Sequence, residues 1–118
     1  MLTLVNAERA KAGCGPVAFD AALRDLARAH SNDMADRGYF SHDTPDGKTP
    51  WDRAAAAGVD YLAAENIARG QKTPAAVMDA WMNSPGHRAN ILNCGLDKLG
   101  VGVRMGDEGP WWTQDFGR

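Results

Sequence analysis

The side chains best suited to acid–base or metal chemistry in this chain are its histidines and one carboxylate set apart from the rest. Only three of the fifteen acidic residues are Glu; twelve are Asp. Glu65 stands in a nearly uncharged run, Leu62-Ala63-Ala64-Glu65-Asn66-Ile67-Ala68. A carboxylate beside Ile and Ala in an extended segment is expected to be partly buried, and a buried carboxylate requires a partner. A structural salt bridge, a bond to a backbone turn and a functional pairing with histidine each meet that need. His42 lies in a loop, Gly38-Tyr39-Phe40-Ser41-His42-Asp43. His87 occupies the third helical position after Ser84, where the helix dipole disfavours the imidazolium form. Two neutral imidazoles and a carboxylate, His42, His87 and Glu65, would make a facial ligand set for a divalent ion. No HExxH motif is present and the pairs are all non-local, so spacing alone leaves an ordinary surface role open to each histidine.

Nucleophilic chemistry has less support. Ser41-His42-Asp43 is contiguous, and adjacent residues do not present a nucleophile, a base and an orienting group to one another. A GxSxG elbow is missing. Gly100, Gly102 and Gly106 are not followed by a helix, so they do not form a phosphate loop. Cys14 and Cys94 are 80 positions apart, which excludes a CxxC redox pair and a four-cysteine zinc site. They are either two separate thiols or one disulfide. Each precedes a glycine, which suits turns better than a buried core position.

The elements that must position these groups follow from punctuation and period. Leu2 to Ala12 reads as a helix closed by Gly13-Cys14-Gly15-Pro16. Asp20 caps a second helix that runs to about Arg37 and ends at Gly38. Its apolar stripe is Leu23, Leu26, Ala27, His30 and Met34, which makes His30 a core histidine held by a hydrogen bond. Thr49-Pro50, Thr73-Pro74 and Ser84-Pro85 each supply an N-cap and a preset φ for helices over 50–57, 74–83 and 85–92. Val77 and Trp81, with Met78 and Met82 beside them, read as core packing. Apolar alternation over 98–104, a turn at 106–110 and the β-forming run 111–116 predict a hairpin, with a further strand over 63–68. This is an α+β domain with helices covering a small antiparallel sheet.

Composition narrows the function classes. The 118 residues, 44% of them hydrophobic, suit one domain with an ordinary core. No apolar run approaches the ~20 residues of a membrane span. A formal net charge of −2 without a basic block argues against nucleic acid, which needs clustered Lys and Arg.

Four motifs in order carry more than any residue alone: Tyr39-Phe40-Ser41-His42, Ala64-Glu65-Asn66-Ile67-Ala68, the run from Ala80 through Trp81, Ser84-Pro85-Gly86-His87-Arg88 and Asn90 to Leu92, and Trp112-Thr113-Gln114-Asp115-Phe116-Gly117. Together with Leu4-Val5-Asn6-Ala7-Glu8-Arg9 and Ala29-His30-Ser31, they make the chain resemble the bacterial branch of the CAP superfamily. These are the cysteine-rich secretory, antigen 5 and pathogenesis-related proteins, also called SCP domains. The resemblance spans essentially residues 1–118 and implies an α-β-α sandwich with a three-stranded antiparallel sheet between helical layers. It also implies a cleft with two histidines and two acidic residues that in some members binds a divalent metal such as zinc. By motif, the first histidine falls on His42, the first acid on Glu65 and the second acid on Asp79, two residues before Trp81. The second family histidine is missing, because the His-aromatic-Thr-Gln motif reads Trp111-Trp112-Thr113-Gln114. We expect His87 to replace it from a different element.

The resemblance thus implies a secreted, monomeric domain with its signal segment removed ahead of Met1, and it adds a reason to expect a Cys14–Cys94 disulfide. The expected role is a binding module whose cleft takes a small molecule, a lipid or a cell-wall fragment, with or without metal. The alternative is a metal-assisted hydrolase that uses His42 and Glu65 as base and acid.

Overall fold

A computed structural model describes all residues, 1–118. The elements are α1 (Leu2–Lys11), β1 (Ala18–Phe19), α2 (Ala21–Arg37), α3 (Pro50–Ala56), β2 (Leu62–Arg69), α4 (Pro74–Met82), α5 (Pro85–Ile91), β3 (Lys98–Arg104) and β4 (Trp111–Gly117). The sheet runs β1-β3-β4-β2, with β3–β4 and β4–β2 antiparallel. It has four strands rather than the expected three. The extra one, β1, is a two-residue parallel strand beside β3, too short to leave a period in the sequence. The α+β class and the α-β-α layering are as expected: α2 covers one face, and α1, α4 and α5 cover the other. No helix is long and apolar enough to cross a membrane.

Local chemistry accounts for the element ends. Asp20 accepts from the Leu23 amide at the start of α2, and Gly38 closes that helix in the left-handed region at φ 68°. Thr49 and Asp52 form a reciprocal capping box around Pro50 in α3, and Thr73 caps α4. Ser84 holds the N-cap position of α5, but its hydroxyl makes no cap bond.

Two close approaches set the layers. Gly100 and Gly102 lie under α2. A Cβ on Gly100 would come within 2.0–2.6 Å of the Leu23 and Arg24 backbone, and one on Gly102 within 2.4–2.6 Å of Ala27 and Arg28. The predicted α2 stripe is buried as expected, with Ser31 added. Ser31 Oγ meets Thr113 Oγ1 at 2.7 Å. On the opposite face, Trp81, Phe116, Leu99, Val77 and Ile91 form the main core.

The start of the chain is tied to its last third. Arg9, 1% exposed, donates to the carbonyls of Gly15, Ile91, Asn93 and Leu96 at 2.8–2.9 Å. Asn6 exchanges two hydrogen bonds with the Val17 backbone. Beside them Cys14 and Cys94 are joined as a disulfide with Cα atoms 4.9 Å apart. Closing a loop of this length contributes about 4.5 kcal/mol in the chain-entropy model.

The glycine contacts give a direct test. Gly100→Ala forces α2 off the sheet and is expected to cost more than about 3 kcal/mol, the range of severe overpacking. Urea unfolding of the two proteins measures it; a loss under about 1 kcal/mol would mean that α2 can slide to make room.

Candidate functional site

The β2–β4 register places Glu65 opposite Asp115, and the β3–β4 register places Gly100 on the other side of Asp115. Opposed residues of an antiparallel pair share a face, so both carboxyls point into the α2 layer. Asp115 is fully buried beneath α2, and the Glu65 side chain is 3% exposed. Two groups reach Glu65 from the edge. The His42 Nδ1–H donates to Oε1 at 2.9 Å. Arg53, four residues past the Thr49 cap of α3, donates from Nη2 to Oε1 at 2.9 Å and to Oε2 at 3.1 Å. The same nitrogen donates to the His42 carbonyl at 2.9 Å, which ties α3 to the loop that carries the imidazole.

That loop has a second anchor. His30 is buried in α2, and its Nε2–H donates to the Ser41 carbonyl at 2.8 Å. Burial, reinforced by the nearby Arg53 cation, lowers its pKa and keeps it neutral. The core reading of His30 holds, and the bond also fixes the residue before His42.

The two carboxyls divide one proton. Burial pushes Glu65 up, but the hydrogen bonds from His42 and Asp115 and the charge of Arg53 outweigh it and hold Glu65 at about 2. Asp115 moves the other way, raised by burial and by the Glu65 charge. As a carboxylate, Asp115 would have no donor for either oxygen. As the neutral acid it has a hydroxyl to offer Glu65, which it faces across the β2–β4 ladder. One cation, one anion and one shared proton leave this buried group neutral.

The residues expected to converge do so only in part. His42 and Glu65 meet. His87 is half-buried on α5, and burial lowers its pKa. It does not bond Glu65 or His42; its carbonyl accepts from Asn66 on the sheet face opposite Glu65. Asp79 is exposed on α4, in a groove with Leu4, Glu8 and Lys11, away from Glu65. Its distance from the cleft follows from its place on a helix of the far layer. No three His, Cys, Asp or Glu side chains converge on one point as metal ligands. The His42, Glu65 and His87 set is therefore not assembled in this conformation.

Two participants escaped the sequence reading, Arg53 and Asp115. A buried Glu65 called for a cationic partner, and Arg53 follows a Thr-Pro-x-Asp capping box; those were the available signals. Asp115 is legible only once the β2–β4 register is known. Asn66 and Gln114, neighbours of this pair in the same motifs, turn to the opposite face. There Asn66 donates to Gln114 Oε1 at 3.1 Å, and Asn90 donates to Asn66 Oδ1 at 2.8 Å.

With fold and cleft in place, comparison identifies the class. The cysteine-rich secretory protein family (CAP) model matches residues 2–116, and the chain belongs to that family. It is 48% identical over 117 residues to the Bacillus subtilis protein YkwD, covering 98% of this chain and 45% of that protein. The chain thus spans less than half the length of that relative. Among solved structures, an extracellular SCP-domain protein from Bacillus anthracis matches with TM-score 0.91 and 40% identity, over 99% of this chain and 38% of that one. NaASP2, solved with Zn2+, shares the fold alone, with TM-score 0.73 and 16% identity over 98% of this chain and 76% of that one.

The shared proton makes a signed prediction. Native Asp115 keeps its proton where the unfolded residue, near its ordinary value, has lost it, so this group stabilises less as pH rises above about 4. Glu65 acts oppositely: its contribution is present above about 4.3 and is lost as pH falls toward about 2. Asp115→Asn keeps a donor for Glu65 and removes only the first dependence. The melting temperature of Asp115→Asn relative to the parent is expected to climb between about pH 4 and pH 7. A difference independent of pH would show that native Asp115 is ionised.

Proposed function

We propose that this domain is an extracytoplasmic binding module whose ligand is a sugar-containing fragment of the cell envelope, seated beside His42 and Glu65. The carrying observation is a groove of about 320 Å³ in which polar His42, Asp43 and Asn90 face the indole of Trp51. Trp51 is 59% exposed, whereas Trp81, Trp111 and Trp112 are all buried. An exposed indole in a concave site is a favourable platform for a ring with one apolar face, and the surrounding polar groups suit its hydroxyls. With Nδ1 bound to Glu65, His42 has its Nε2 free for the ligand. The disulfide supports an oxidising compartment.

A second reading, hydrolysis, draws on the same dyad. Glu65 orients the ring, and Nε2 of His42 takes a proton from an attacking water. Turnover in a peptide and ester screen that disappears in His42→Ala would favour it.

Calorimetric titration with soluble peptidoglycan fragments tests the binding reading. Binding is expected, and Trp51→Ala is expected to weaken it about tenfold or more, as for an aromatic anchor. Heat unchanged by Trp51→Ala, or no heat in the parent protein, would contradict the reading.

A further inference from the structure

Glu65 is the carboxylate of the cleft within reach of His42, and its acceptor capacity is already taken. A carboxylate offers two oxygens with about four lone-pair directions. His42 Nδ1 and Arg53 Nη2 occupy Oε1, and Nη2 also approaches Oε2. The remaining direction faces Asp115, opposite on β4. A metal on Glu65 has to remove one of these donors.

None of them is easily removed. The Arg53 side chain is only 11% exposed and is anchored to the His42 carbonyl as well as to Glu65. Guanidinium does not shed its charge, so a divalent ion beside it would meet an unscreened like charge within a few ångströms. His42 presents Nδ1 to the carboxylate, which places Nε2, its remaining ligand atom, on the far side of the ring. One ion cannot take both Nε2 and the Glu65 oxygen that Nδ1 already holds. The donor set as built does not fit a divalent metal.

The charge balance states the same constraint positively. Glu65 brings one negative charge into a site from which water is nearly excluded. Arg53 is the cation hydrogen-bonded to it. Without the guanidinium, two buried carboxyl groups would face each other with a guanidinium-sized space beside them and no cation.

We infer that Arg53 is the resident cation of this cleft, standing on Glu65 in the place a divalent metal would need. The cleft of this chain then works without metal, and removing the guanidinium leaves the facing carboxyl groups of Glu65 and Asp115 open to a divalent cation. Zinc accepts carboxylate oxygens and serves as the probe. The inference concerns which cation the cleft holds and stands whether or not the saccharide reading does.

The test is a zinc titration by calorimetry, with thermal melts at about 100 µM zinc, on the parent chain, Arg53→Ala and the Arg53→Ala/Glu65→Gln double variant. The parent is expected to show no one-to-one site and no upward shift in Tm. Arg53→Ala is expected to melt lower and to be raised by zinc in a dose-dependent way, with the rise lost in the double variant. A one-to-one zinc site in the parent that Glu65→Gln abolishes would overturn the inference. So would a folded Arg53→Ala with no gain in zinc affinity. If Arg53→Ala does not fold, the parent titration still decides whether the cleft holds metal.

Discussion

One buried negative charge organises this domain. Glu65 is carried into the interface between the sheet and α2, and an ionised carboxylate there must be compensated or it neutralises. The surrounding elements meet that demand. The capping box of α3 delivers Arg53, the loop after α2 delivers His42, and the β2–β4 register delivers Asp115. Because the same Arg53 nitrogen also holds the His42 carbonyl, the salt bridge and the loop geometry are one arrangement. The imidazole at the mouth of the cleft is therefore oriented from inside.

The depth of the site depends on a packing constraint some residues away. Two glycines of β3 let the α2 backbone lie against the sheet, and α2 then seals Asp115 from water. Sealing raises the cost of ionising Asp115, which leaves it as a donor to Glu65. Close packing in one layer thus sets the protonation of a group in the next. On the other side of the sheet the amides of Asn66 and Gln114 link β2 to β4, and these are the motif residues that do not enter the cleft; Asn90 of α5 bonds Asn66 from the edge of β2 and also lines the groove. His87 belongs to that layer through its backbone.

Much of the framework was legible in the sequence because it rests on local rules. Asp20 and Gly38 bound α2 as expected, and the alternation over 98–104 marked β3. The motif order carried the family and with it the layering. The disulfide, open on composition alone and given a further reason by the resemblance, joins the two cysteines. The site was legible only in half. His42 and Glu65 meet because both lie in motifs, whereas Asp79 was assigned by motif offset and lies on another layer. Arg53 and Asp115 depend on tertiary placement: a salt bridge across 12 residues and a register between strands 50 residues apart. Neither leaves a period or a spacing to read. The two-residue β1 was missed for the same reason.

The central claim is that Glu65 is ionised, and Asp115 neutral, in one group with Arg53. Carbon-13 NMR of the side-chain carboxyls, titrated from about pH 2 to pH 8, observes both directly. The prediction is a Glu65 resonance that keeps its ionised position through the ordinary glutamate range and reaches its midpoint only at the bottom of the titration, near about 2, and an Asp115 resonance still protonated far above the ordinary aspartate midpoint. An Asp115 that titrates near about 3.9 like a solvated aspartate, or a Glu65 that titrates near about 4.3, would contradict it.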